Sequence, residues 1–139
     1  MTQPVCEVLL TEAPIASPPQ TFPEEAGGIV DFWGVVRAIE DGREISGIEY
    51  EAHRTMAEHQ LRAIAEEAAR DFSLKHITIS HRTGFVAAGE ASLFVRVCSR
   101  HRSAAFEASA WIVEDLKKRA AIWKHVRFSS GAEATSAAA

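Results

Sequence analysis

Cysteine is scarce in this 139-residue chain, with Cys6 and Cys98 making up the whole supply. No third or fourth cysteine and no histidine at ligand spacing stands beside either, so neither a disulfide framework nor a zinc site is indicated. Cys98 lies in an apolar, strand-like run, where a buried structural thiol is expected rather than a nucleophile. Long hydrophobic runs are missing too: nothing approaches the ~20 consecutive apolar residues of a membrane span. The start Met-Thr-Gln-Pro has neither the basic residues nor the apolar run of a secretory signal, and a cytoplasmic chain without membrane contact is expected. Positive charge is not in excess, since the net charge is −4.

With 47% hydrophobic and 24% charged residues, the composition is that of one globular domain with a single core. The charge is unevenly spread. From Arg96 to Arg127 there are eight cations against three acids, a local +5, so the remainder carries −9 of the overall −4. An acidic body with one short basic zone suits a localised anion site, whereas a nucleic-acid binder shows a more extended positive surface.

Along the chain, residues 5–10 (VCEVLL) read as a strand, and the proline-studded APIASPPQTFP that follows sustains neither helix nor central strand. The compact domain is therefore expected over 27–128, after an N-terminal strand and connector (1–26) and before a small-residue tail (129–139) that frays. GIVDFWGVVR (28–37) and ISGIEYEAH (45–53), joined through the turn signal at 40–42, are expected to pair as strands. Gly34 inside the first suggests a bulge or a close approach. Thr55 and Glu58 have the form of a capping box for a helix reaching about Asp71, with Ala57, Leu61, Ile64, Ala65, Ala68 and Phe72 inward. Strands are expected at 75–81 and 92–99. Ser103 then caps a second helix whose inward stripe is Phe106, Ser109, Ala110, Ile112, Val113, Leu116 and Ala120. The fold class is α+β, a single domain with a mostly antiparallel mixed sheet covered by two main helices.

The chemistry concentrates in the basic zone. On a continuous helix, Lys117 and Lys124 would lie about 20° apart in projection and about 10 Å apart along the axis, facing one cleft. Arg100-His101-Arg102 sits at the strand-to-helix junction, where free N–H groups and the positive dipole end favour a phosphate or carboxylate. Crowded cations disfavour one another's protonated forms, which would make a lysine here available as a base or nucleophile. Late-helix lysines are also ordinary solubilising residues. His53, His59, His76, His81 and His125 are scattered without ligand spacing and read as surface or satisfied core histidines.

Five collinear segments, FWGVVR (32–37), GIEYEAHRTMAE (47–58), HRTGFVAAGE (81–90), SRHRSAAFEA (99–108) and DLKKRAAIWK (115–124), resemble the large, catalytic subunit family of molybdopterin synthase (the MoaE family). The resemblance runs from Gly27 to Lys124. It implies an α/β hammerhead type of fold and a sulfurtransferase that places two sulfurs on cyclic pyranopterin monophosphate, forming the molybdopterin dithiolene. It implies no metal or organic cofactor. The implied sulfur donor is a separate small ubiquitin-like carrier with a C-terminal Gly-Gly thiocarboxylate, and the implied assembly is a homodimer within a heterotetramer. By the same resemblance Lys117 and Lys124 match the family's essential lysines, and Val35, Val36, Arg37, His101, Arg102, His125 and Val126 fall at substrate-binding positions. The chain departs from the family pattern at Ala121, where proline is usual, at Val126, where glutamate is common, and in the SSGAEATSAAA end in place of a longer basic and aromatic extension. The alternative these departures leave is a non-catalytic carrier-binding scaffold of the same fold with an eroded active site.

Overall fold

Alternating β-branched and aromatic residues build two sheets in the computed structural model, which describes residues 3–137. The elements in order are β1 (Val5–Thr11), β2 (Gly28–Val35), β3 (Ile39–Glu40), β4 (Arg43–Ala52), α1 (Arg54–Asp71), β5 (His76–Arg82), β6 (Gly84–Ala87), β7 (Ala91–Ser99), α2 (Arg102–Arg119), β8 (Ile122–Phe128) and β9 (Glu133–Ala137). The first sheet has the order β1-β5-β7-β2, with only β1 and β5 parallel. The second runs β3-β4-β8-β9, all antiparallel, with β6 also on β4. One face of the first sheet is covered by α1 over β1 and β5 and by α2 over β2 and β7. Leu61, Ile64, Ile112 and Leu116 of the helices close onto Ile77, Ile79, Val95 and Val97 of the strands, all fully buried. The expected α+β class holds.

Several local expectations are corrected. Residues 28–37 and 45–53 do not pair: β2 bonds to β7, and β4 takes the two-residue β3 as its hairpin partner. The tight hairpin forms because Asp41 and Gly42 both adopt positive φ, 51° and 72°, matching the twist of the flanking strands. Between the strands expected at 75–81 and 92–99, β6 uses Gly84 (φ 80°) to enter a further short strand on β4. The capping box is absent. His53 is the N-cap of α1, its Nδ1 accepting from the Met56 N–H at 3.3 Å, and Glu58 pairs with Arg54 at 2.9 Å instead. In α2 the N-cap position is His101 rather than Ser103, and its side chain makes no cap bond. Its buried stripe is Ala105, Ala108, Ser109, Ile112 and Leu116, which leaves Phe106 63% exposed. The bulge suggested by Gly34 is present as a register shift between Gly34 and Val35.

Residues 5–11 and 133–137 both join the sheets. β1 pairs along its length with β5 and buries Leu10, so it belongs to the sheet rather than preceding the domain. The connector lies across the outer face of the first sheet, where Arg96 holds it. Arg96 donates to both oxygens of Asp31 at 2.7 and 2.8 Å and to the Pro19 carbonyl at 2.5 Å, with the Phe22 ring 5.0 Å from its guanidinium carbon. A cavity of about 450 Å³ remains beneath the connector. The expected frayed tail instead contributes β9, whose residues 133–137 pair with β8; Ala138 and Ala139 lie outside the described residues.

Candidate active site

Lys124 does not continue the second helix. α2 ends at Arg119, and Ala120 turns extended (φ −79°, ψ 134°), so Lys117 sits in the last helical turn and Lys124 in β8. The break needs no proline. The Ala121 N–H, which a proline would lack, donates to Gln60 Oε1 at 2.6 Å, while its carbonyl accepts from the His53 N–H at 3.1 Å. β8 then alternates, with Ile122, Val126 and Phe128 buried and Trp123 turned outward.

In β8 the register sets Lys124 opposite Tyr50 of β4, between the pairs Ala52–Ile122 and Ile48–Val126. Directly opposed residues project to the same face, so Lys124 points inward with Tyr50, while His125 points outward with Glu49 and Glu51. His125 lies there 2.8 Å from Thr135 Oγ1 and 3.4 Å from Glu51 Oε1. The structure therefore separates the His125 side chain from Lys124. Val126 shares the face of Lys124 but is buried against Ile48, so no carboxylate stands where the family commonly has one.

Tyr50 ties this site to the first sheet, because its hydroxyl donates to Ser92 Oγ at 3.2 Å. Ser92 follows Ala91, the β7 partner of Val35. Val35 is exposed and Val36 buried, and Arg37 is largely exposed with Glu40 at 3.3 Å. α2 reaches the same end: it starts against Gly28, packs along β2 and β7, and delivers Lys117 toward the Val35 end. Val35–Arg37, Lys117 and Lys124 are thus gathered at one end of the first sheet.

His101 and Arg102 are not among them. They stand at the start of α2, about 22 Å from Lys117 at ~1.5 Å of rise per residue. The expectation that one helix carries both amines is corrected, since Lys124 lies in β8, and the helix length keeps the His101–Arg102 end of α2 apart from Lys117. The junction itself is built for close approach. A Cβ on Gly28 would come within 2.8 Å of the Arg102 Cα, so only glycine lets β2 run this near the helix start. The His101 side chain makes no capping bond, which leaves the first-turn N–H groups of α2 open.

Ion pairing sorts the basic zone. Arg96 is held by Asp31, Arg119 by Glu67 at 2.8 Å and Asp115 at 2.5 Å, and Arg127 by Glu133. Asp31 pushes the Arg96 pKa up, as Glu67 and Asp115 do that of Arg119, so these two stay charged; all three arginines are occupied by their carboxylates. Arg100, Arg102, Lys117, Lys118 and Lys124 have no carboxylate partner among the described residues.

The sequence profile of the family described as MoaE protein matches residues 10–119. The chain belongs to the MoaE protein family. The molybdopterin synthase catalytic subunit of Thermoplasma volcanium is 38% identical over 107 residues, covering 77% of this chain and 78% of that one. Its rice counterpart is longer, and the match spans 55% of it. Among solved structures, molybdopterin synthase from Staphylococcus aureus superposes with a TM-score of 0.83 at 27% identity, covering 99% of both chains. A complex of subunits 1 and 2 of molybdopterin-converting factor from Helicobacter pylori shares the fold at a TM-score of 0.65 and 24% identity, over 76% of this chain and 69% of that one. No described helix is long and apolar enough to cross a membrane.

Proposed function

We propose that this MoaE-family chain is the catalytic subunit of a cytoplasmic molybdopterin synthase, transferring sulfur from a thiocarboxylated carrier to cyclic pyranopterin monophosphate. The observation that carries the reading is the sorting of cations: Lys117, Lys124 and Arg102, which the family resemblance assigns to the reaction, are among those left without a carboxylate partner. Unpaired cations are free to meet the two anionic groups of this chemistry, a phosphate and a thiocarboxylate. Lys117 and Lys124 stabilise the thiocarboxylate as its sulfur attacks a side-chain carbon of the pterin and displaces the oxygen bound there, and then the carboxylate that leaves with the carrier once water has cleaved the acyl–sulfur bond. Two such transfers complete the dithiolene. Arg37, with the Val35–Val36 backbone, lines the pterin side of the same end.

His101 and Arg102 join this site from a second copy. β2 is the edge of its sheet, and it exposes Phe32, Trp33 and Val35 without a lysine or proline to blunt pairing. By contrast, the carbonyls of Cys6 and Leu10 in the opposite edge strand β1 accept from Arg62 and Arg54. Two β2 strands paired antiparallel about a two-fold near Asp31 and Phe32 place the Gly28 end of one copy beside the Val35 end of the other. The partner's His101 and Arg102 then hold the phosphate while this chain's lysines face the carrier tail.

The test is molybdopterin formation with thiocarboxylated carrier and cyclic pyranopterin monophosphate. Lys117→Ala and Lys124→Ala each lower turnover about 100-fold or more, with carrier binding retained, by analogy with the loss of one charge-stabilising donor. Full turnover by either variant would overturn the assignment.

A further inference from the structure

The wall beneath Lys124 contains a buried polar cluster with no place in the mechanism so far. Tyr50, 6% exposed, lies directly across from Lys124 in the β4–β8 ladder, where opposed Cβ atoms are about 5 Å apart. Two contacts fix its ring. The hydroxyl donates to Ser92 Oγ at 3.2 Å, and the His81 ring meets it edge-on, with centroids 5.0 Å apart and planes at 77°.

His81 is itself fully buried, with Nδ1 2.7 Å from the Arg82 carbonyl. That short contact requires Nδ1 to carry the proton and donate, which leaves Nε2 of the neutral ring an acceptor, and Nε2 has no partner among the described residues. Burial pushes the imidazole pKa below its ordinary value, and the bond to the Arg82 carbonyl only partly offsets this. Burial likewise pushes the Tyr50 phenol up, against a smaller downward pull from Ser92, with Glu40 adding to the rise. The cluster is therefore neutral. A carboxylate in this wall would pair with Lys124 and withdraw it from the substrate, whereas a neutral phenol held at both ends only limits where the amine can go.

We infer that Tyr50 is a positioning residue for Lys124, held in place by Ser92 and His81. The inference rests on the proposed role of Lys124. It also gives His81 of the HRTGF segment a place in the site, through its edge-on contact with the Tyr50 ring.

The test uses the full-length chain with its carrier and compares Tyr50→Phe, Ser92→Ala and the double variant. Tyr50→Phe keeps the ring and removes only the tether. Each single variant is expected to lower kcat about 3- to 10-fold with the KM for carrier unchanged, the loss of one modest tether; the double variant falls no further, because both remove the same bond. A purely structural bond would lower the melting temperature and leave kcat of the folded enzyme intact, which overturns the inference. A second measurement needs no turnover: acylation of Lys124 by an N-hydroxysuccinimide ester, followed by peptide mass spectrometry with Lys118 as internal reference. A change of at least 2-fold in the Lys124 rate relative to Lys118 in Tyr50→Phe supports the tether, and an unchanged ratio overturns it. A parent that labels as expected yet makes no molybdopterin would count against the proposed function alone.

Discussion

If a working site takes its lysines from one copy and its phosphate ligands from another, two inactive variants should complement each other. Lys117→Ala removes an amine and Arg102→Ala a phosphate ligand, and the two positions are about 22 Å apart along α2, too far to serve one pocket within a chain. In a heterodimer of the two variants, one site combines both defects. The other combines the intact Lys117 of the Arg102→Ala copy with the intact Arg102 of the Lys117→Ala copy. Heterodimers purified through two different affinity tags should therefore recover about half the parental activity, one site in two. Each homodimer should sit about 100-fold or more below the parent, so the recovery is far above background. The assay is molybdopterin formation with saturating carrier. A heterodimer no more active than the mean of its two parents would refute the composite site, placing both groups in one chain's pocket or outside the reaction.

Trp33→Glu puts a charge on the exposed edge strand and should shift the chain toward monomer in sedimentation velocity, lowering turnover in proportion. Gly28→Ala drives a Cβ to within 2.8 Å of the Arg102 Cα and should destabilise the fold by about 1–3 kcal/mol in urea, because two backbones must separate. Asp31→Ala strands the buried Arg96 guanidinium and loosens the connector, an expected loss on the order of 3 kcal/mol read from the same denaturation curves. The pH dependence has a definite sign. His81 has its pKa lowered in the folded state, so below the ordinary value of 6.5 the unfolded chain binds a proton that the folded chain resists. Stability therefore falls as the pH drops below that point, by at most about 1.4 kcal/mol per pH unit, until the folded pKa is reached. His81→Gln should remove this slope from the urea midpoint measured between pH 7 and pH 5, and an unchanged slope would show that another group causes it.

The two helices, five of the strands and the α+β class were legible in the sequence because period-3.6 and period-2 burial dominates those segments. Strand partners were not. A hydrophobic pattern says which face of β2 is buried but carries no information on whether β4 or β7 lies beside it. The short strands β6 and β9 escaped because glycine and small residues give little periodic signal, and both are recruited by ladders already formed. α2 was read too long for a related reason: Ala120, Ala121 and Ile122 are acceptable in a helix, and the break depends on Gln60 and His53, distant residues that bond the Ala121 backbone. That misplaced end concealed that Lys117 and Lys124 lie on different elements, a helix end and a strand, rather than along one helix face. The two candidate lysines were singled out through the family motifs. The separation of His101 and Arg102 from Lys117 required the helix length, and Tyr50 read only as one more inward residue of an alternating strand.

The most direct test of the central claim follows the sulfur itself. Thiocarboxylated carrier is mixed with this chain and cyclic pyranopterin monophosphate, and the intact mass of the carrier is followed alongside the dithiolene product. The account predicts that the carrier exchanges its sulfur for oxygen only when both the pterin and this chain are present, two carriers for each molybdopterin, and that Lys117→Ala and Lys124→Ala abolish the exchange. A carrier that binds this chain tightly and keeps its sulfur in the presence of the pterin would contradict it and leave a carrier-binding scaffold as the function.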